Sequence, residues 1–141
     1  QAIDRVGVML SLNFPAGPEL EKLSEKSNAV FKIKPSMKNT DCSLSGVENK
    51  CKKMLTENYE KSDIALFCID SVIAALDGMY KALMPKYGAL PVVFSGGVTS
   101  NKRIKNYFHD KYNAIFAEPA YSADNAAGTA VLSSIMYDRR K

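Results

Sequence analysis

The stretch Pro91-Val92-Val93-Phe94-Ser95-Gly96-Gly97-Val98-Thr99-Ser100-Asn101 has the residue types and order closest to chemistry. A short β-prone run ends in two glycines, and Ser100 and Asn101 then open a polar, helix-compatible stretch. Strand, glycine turn and helix start together present backbone N–H groups to an anion or a nucleotide. Glycine admits such a group because it has no Cβ. Taken alone, the pattern describes a tight turn equally well. Three more polar clusters sit at breaks in the chain: Asp4 with Pro15–Pro18, Asp41–Gly46, and Ser122–Asn125. Asp124 puts a carboxylate at a helix start, where it either caps the helix or serves a cation as ligand.

Other reactive side chains are few. Cys42, Cys51 and Cys68 are an odd number without a CxxC pair, which argues against a disulfide framework and a zinc site. Cys68 falls in an apolar helical pattern and reads as a core residue; Cys42 lies in a polar loop and is a weak candidate nucleophile. His109 is the single histidine and reads as a surface residue, so a histidine-based metal site within this chain is not expected.

These clusters need elements to hold them. Apolar spacing predicts a helix over 2–12, stopped by Phe14-Pro15-Ala16-Gly17-Pro18, where two prolines flank one permissive glycine. Pro18 then suits the first turn of a second helix to about Ser27. Residues 28–41 alternate weakly and read as an irregular connection, with at most a short strand near Val30–Ile33. A lysine-rich helix follows over about 47–57. Ser62-Asp63 is expected to cap the longest helix, about 62–84. Its stripe of Ile64, Phe67, Cys68, Val72, Leu76, Met79 and Leu83 makes it the central buried helix, ended by Pro85 and Gly88. Strand 91–95, a helix over about 100–111, strand 114–117 and a final helix over 122–137 complete the chain. The βαβα order predicts parallel strands with a right-handed crossover. Helix starts after parallel strands share an edge, so Ser95–Asn101 and Ser122–Asn125 are expected as neighbours.

Length and composition set the bounds. A chain of 141 residues is one domain's worth, and 46% apolar content is that of a globular protein. No apolar run reaches the ~18 residues of a membrane span, so no membrane partner is expected. The net charge is +4, with lysines gathered at 32–38 and 50–53 and a basic C-terminus at Arg139-Arg140-Lys141. This permits nucleic-acid contact, while solvated surface lysines are the plainer reading. The start at Gln1 resembles no signal peptide and lacks Met, so a processed product or a piece of something longer is expected. Thiol usage points to a reducing, cytoplasmic setting.

In their order, the clusters resemble the C-terminal half of the TsaD family, the threonylcarbamoyl transferases of tRNA once labelled O-sialoglycoprotein endopeptidases or glycoproteases. The family run FDKxAxLLGLxYPGGP is similar, without a gap, to Ile3-Asp4-Arg5-Val6 through Leu10-Ser11-Leu12-Asn13-Phe14-Pro15-Ala16-Gly17-Pro18. DFSFSGLKT resembles Asp41-Cys42-Ser43-Leu44-Ser45-Gly46-Val47-Glu48-Asn49, and DIAxxFxxxVxxxL resembles Asp63-Ile64-Ala65 with Phe67, Val72 and Leu76. AGGVSAN resembles Ser95-Gly96-Gly97-Val98-Thr99-Ser100-Asn101, followed by the basic pair Lys102-Arg103. CTDNAAMIA resembles Ser122-Ala123-Asp124-Asn125-Ala126-Ala127-Gly128-Thr129-Ala130.

The resemblance implies an α/β fold: a helix-rich fragment of an actin-like ATPase (ribonuclease H-like) fold with a small parallel sheet, residues 1–141 being its C-terminal portion. It implies that Asp4, Gly17, Gly96, Gly97 and Asn101 contact ATP or the threonylcarbamoyl-adenylate, and that Asp124 is a ligand of a divalent metal, iron or zinc. It implies tRNA as substrate, with TsaB-like and TsaE-like partner proteins. The remaining family metal ligands come from an HxxxH motif in an N-terminal half that this chain does not contain. Glu48 stands where the family has Lys, Ala16 replaces a glycine and Ala123 replaces Thr. These departures leave a second reading open, a non-catalytic paralogue acting as a binding or scaffold protein. The metallopeptidase label is disfavoured, since nothing resembles HExxH. No residue reads as a general base, so no catalytic residue is named.

Overall fold

The longest helical pattern, in the sixties to eighties, forms α4 (Lys61–Tyr87), and the first half of the chain packs around it. The structure is a computed structural model that describes residues 1–118 and 133–137. It divides into two compact units, Gln1–Leu90 and Pro91–Lys141, where length alone pointed to one domain.

In the first unit, α1 (Ala2–Met9), α2 (Gly17–Ser24) and α3 (Ser45–Thr56) pack on α4. Val6, Leu10, Leu20, Cys51, Ile64, Cys68 and Ile69 form a fully buried core. Each such Leu or Ile side chain stabilises the fold by about 1.5–3 kcal/mol relative to exposure. Cys68 is therefore the core residue its pattern indicated. The hydrogen bond with Cys51 and burial push its thiol well up from the ordinary value, away from thiolate chemistry.

Both ends of α4 depart from expectation. Glu60, not Ser62 or Asp63, is the N-cap. The Asp63 carboxylate instead accepts a 2.5 Å hydrogen bond from the Ser27 hydroxyl and ties the end of α2's connection to α4. Pro85 does not end the helix, which runs to Tyr87. Proline removes only its own N–H, and this close to the end the following residues keep their donors. Gly88, at φ 74°, is the actual stop.

The connection 28–43 also differs. No strand forms near Val30–Ile33; a hairpin forms further on, pairing β1 (Ser36–Lys38) antiparallel with β2 (Asp41–Ser43). Its register sets Lys38 opposite Asp41, and Asn39 takes a left-handed φ of 56° in the turn. Cys42 is thus a half-buried strand residue rather than a loop residue.

The second unit is the βαβ arrangement its sequence predicts. Strands β3 (Val93–Phe94) and β4 (Ile115–Phe116) pair in parallel, and α5 (Lys102–Tyr112) lies between them in sequence. The strands are shorter than the apolar runs. Ile104 and Phe108 are fully buried, and the Phe94 ring lies 4.8 Å from Phe108 and 5.2 Å from Phe116. The molecule is thus a mostly helical α/β structure with a small parallel sheet. Residues 133–137 are helical, within the expected final helix; the rest of that helix, with Ser122 and Asp124, lies outside the described residues. Among the described residues, no helix is long and apolar enough to cross a membrane.

Candidate functional site

In the first unit, the site-bearing loop is Asn13–Glu19, and two carboxylates hold it. Asp4, in the first turn of α1, accepts a hydrogen bond from the Ala16 backbone N–H at 3.1 Å. Glu19, in the first turn of α2, accepts from the side-chain amide and the backbone N–H of Asn13, both at 3.0 Å. These two bonds, the side-chain one foremost, hold the Glu19 carboxyl below its ordinary 4.5. A lowered folded value means that the clamp contributes above the ordinary carboxylate range and is lost as pH falls through the lower one. Asp4 is thereby joined to the loop that carries Gly17, with one of its oxygens already engaged in shaping that loop.

Gly17 is the first residue of α2, and a Cβ there would meet nothing within 4 Å among the described residues. The fold's own packing does not require a glycine at this position. Gly7 is the opposite case: a Cβ there would sit 2.1 Å from the Ala16 Cβ. Ala16 is fully buried against α1, and Gly7 is what allows it. The run FDKxAxLLGLxYPGGP has Ala at the position of Gly7 and Gly at that of Ala16, so here one methyl has moved from the helix to the loop. The departure at Ala16 is thereby compensated inside the core. The same run has Gly at the position of Ser11, which keeps a left-handed φ of 65° at a cost of roughly 1 kcal/mol.

Glu48 is explained by its partner. Its carboxylate accepts from the Arg5 guanidinium at 3.1 Å, linking α3 to α1 across the exposed surface. The reversed charge is neutralised locally, in a pair worth about 0–1 kcal/mol. In the neighbouring cluster, the Ser43 and Ser45 hydroxyls are 2.8 Å apart at the start of α3, and Ser43 accepts from the Ser45 N–H at 3.4 Å. Asp41 stands next to the hairpin turn, opposite Lys38.

In the second unit, β3 leads through Ser95 into the two glycines, a 3₁₀ turn over Gly97–Ser100, and α5. The two glycines serve different ends. Gly96 has φ 115°, a conformation that L side chains rarely adopt, so the backbone demands it. Gly97 has no such constraint, and a Cβ there would meet nothing within 4 Å among the described residues. Thr99 fixes the turn by donating its hydroxyl hydrogen to the Gly96 carbonyl at 2.7 Å. Asn101 is buried and caps α5, its Oδ1 accepting from the Ile104 N–H at 3.1 Å. That oxygen is spent on the helix; the turn before it leaves an open glycine next to a helix start, a form suited to an anion.

The predicted residues thus fall in two groups, Asp4 with Gly17 in the first unit and Gly96, Gly97 and Asn101 in the second. Asp124 lies outside the described residues, and so does its expected closeness to Ser95–Asn101. Among the described residues, no three His, Cys, Asp or Glu side chains gather as metal ligands. The described residues alone do not make up a site for the metal. The sequence reading missed the Glu19–Asn13 clamp and the arrangement of the lysines at 32–38. The first had a signal in the acidic residue that follows Pro18; the second had one in the alternation of Phe31 to Lys38, which is diluted over 28–41 as a whole.

A family model described as TsaD, tRNA N6-adenosine threonylcarbamoyltransferase, matches residues 1–131. Curated proteins with the same description are similar along this chain. The one from Kosmotoga olearia is 28% identical over all of the chain and 45% of its own length. The one from Thermococcus sibiricus is 31% identical over 74% of the chain and 32% of its own length. The one from Prosthecochloris aestuarii is 27% identical over all of the chain and 48% of its own length. The chain spans less than half the length of these relatives.

Proposed function

The chain belongs to the TsaD family of tRNA N6-adenosine threonylcarbamoyltransferases, and from that premise we propose that it is the C-terminal part of such a transferase. The family fold is actin-like, and the mostly helical α/β architecture with a small parallel sheet agrees with it. The reaction moves a threonylcarbamoyl group from its adenylate to the adenosine beside the tRNA anticodon. The adenine N6 attacks the carbamoyl carbon, the carbon–oxygen bond to the phosphate breaks, AMP leaves with the electron pair, and N6 loses a proton.

The observation that carries this reading is the pair of glycines. Gly96 is needed by the backbone, whereas Gly97 is needed neither by φ nor, among the described residues, by packing, and leaves room beside the start of α5. Backbone N–H groups there are suited to the phosphate of the adenylate, stabilising charge on the leaving group. Asp4 and Gly17 are assigned to nucleotide contact on the resemblance, and Asn101 holds the turn in place. Asp124 is assigned as a metal ligand, with iron or zinc completed by residues outside this chain. tRNA, TsaB-like and TsaE-like proteins and a preceding N-terminal half are the expected partners, in the cytoplasm. A non-catalytic binding or scaffold paralogue is the second reading, favoured by the substitutions at 48 and 123.

Gly97→Ala tests the assignment, because the described residues leave room for the methyl. Calorimetric titration with ATP is the measurement, on the longer protein that supplies the N-terminal half, with metal present. The variant is expected to keep its unfolding midpoint and to bind ATP at least tenfold more weakly. Equal ATP binding by the two proteins would remove the nucleotide role from this turn; no binding by either would favour the scaffold.

A further inference from the structure

The lysines at 32–38 have an order that their number alone does not convey. Along Phe31-Lys32-Ile33-Lys34-Pro35-Ser36-Met37-Lys38, every second residue is exposed: Lys32, Lys34, Ser36 and Lys38. The alternate residues face α4. The Phe31 ring meets the Phe67 ring edge-on, with centroids 5.3 Å apart. Pro35 and Met37 reach α4 at Gly78, where a Cβ would stand 3.2 Å from Pro35 Cγ and 2.9 Å from Met37 Sδ. Phe67 and Gly78 are about 16 Å apart along the helix. Phe31 and the Pro35–Met37 pair are about 13–20 Å apart along extended chain. The two spans agree, so the segment lies lengthwise on α4 with its apolar side down.

Its other side is a cationic edge. Alternate side chains on extended backbone recur about every 6.6 Å, so Lys32 and Lys34 present two ammonium groups at that interval and Lys38 a third beyond Ser36. Among the described residues, none of the three is in an ion pair. Asp41 stands opposite Lys38 in the hairpin register, so Lys32 and Lys34 carry the more open charge. The edge has no aromatic, Asn, Gln or Arg with which to read a base, only ammonium groups and one hydroxyl. Such groups position a phosphate backbone without reading its sequence.

We propose that this edge, Lys32, Lys34 and Lys38, binds the sugar–phosphate backbone of RNA. The choice of RNA among polyanions rests on the transferase reading; the cationic edge itself does not. An anionic membrane is less suited, because it favours a broad apolar face beside the charge.

The test compares the 141-residue chain with Lys32→Gln/Lys34→Gln/Lys38→Gln and with a control, Lys50→Gln/Lys52→Gln/Lys53→Gln on α3. Fluorescence anisotropy with an unmodified tRNA transcript is read from 50 to 200 mM salt, after circular dichroism shows each protein folded. Each lost phosphate contact removes about 0.7–0.9 from the slope of log affinity against log salt. The edge variant should therefore lose about 2–3 from that slope, and its deficit against wild type should shrink by about 20- to 40-fold over this salt range. The control should change less. An unchanged edge variant, an equal loss in the control, or lysine-dependent binding to phosphatidylserine vesicles without tRNA binding would each overturn the proposal. ATP titration of the Gly97→Ala pair, run in parallel, shows whether the transferase reading stands independently of that result.

Discussion

At the scale of single residues, the candidate loop is governed by where one methyl group sits. Gly7 and Ala16 share a contact that holds one Cβ and not two, since a second would lie 2.1 Å from the first. Gly7→Ala alone should destabilise the fold by about 1–3 kcal/mol, the usual cost of overpacking. Ala16→Gly alone should cost about 1 kcal/mol from backbone entropy and lost burial. The double variant restores the arrangement of the family run, and should recover most of the Gly7→Ala loss as a coupling of about 1–3 kcal/mol. Urea denaturation of the four proteins measures it, and strictly additive effects would show that the contact does not limit the loop. The resemblance exposed this substitution at Ala16, but only the structure pairs it with Gly7. Two positions nine apart in a broken helix carry no periodic signal that joins them.

At the scale of elements, periodicity was a good guide where an element was long. The apolar stripe of α4 and the βα order around the glycine pair both follow from the sequence. So does Asn101 at the start of α5, because strand, glycines and polar opening each leave a local signature. Short elements were less legible. β1 and β2 are three residues each, too short for a clear period, and Pro35, which cannot donate to a ladder, sits just before them, so strand formed at 36–43 and not at 30–33. Side-chain capping failed for α4 because Asp63 found Ser27, a partner far away in sequence. The extended segment 31–38 depends on Gly78, whose missing side chain is the seat for Pro35 and Met37. Gly78→Ala should change stability by less than about 1 kcal/mol, because improved helix propensity offsets a small shift of the flexible Met37. Gly78→Leu should cost about 1–3 kcal/mol and raise amide exchange in the β1–β2 hairpin. If Leu is accepted as easily as Ala, the segment is not seated on α4 through this glycine.

At the scale of the whole molecule, the question is how much of a transferase 141 residues can hold. The chain spans 45% and 48% of two relatives that it matches along its full length. Its only histidine is His109, so an HxxxH pair of ligands cannot come from within it. The glycine turn belongs to one unit and Asp4 with Gly17 to the other. A part with binding elements and no complete reaction centre should hold ligand without turnover. The 141-residue chain, given tRNA, threonine, bicarbonate, ATP and the TsaB-like and TsaE-like proteins, is therefore expected to yield no threonylcarbamoyladenosine above background, read by mass spectrometry of digested tRNA. A longer protein that carries an HxxxH motif ahead of these residues, as the proposed function requires, is expected to yield it. Product from the 141 residues alone would mean that the chemistry needs neither the missing ligands nor the missing half. A longer protein that lacks HxxxH and stays inactive while still binding its partners would shift the assignment to the scaffold.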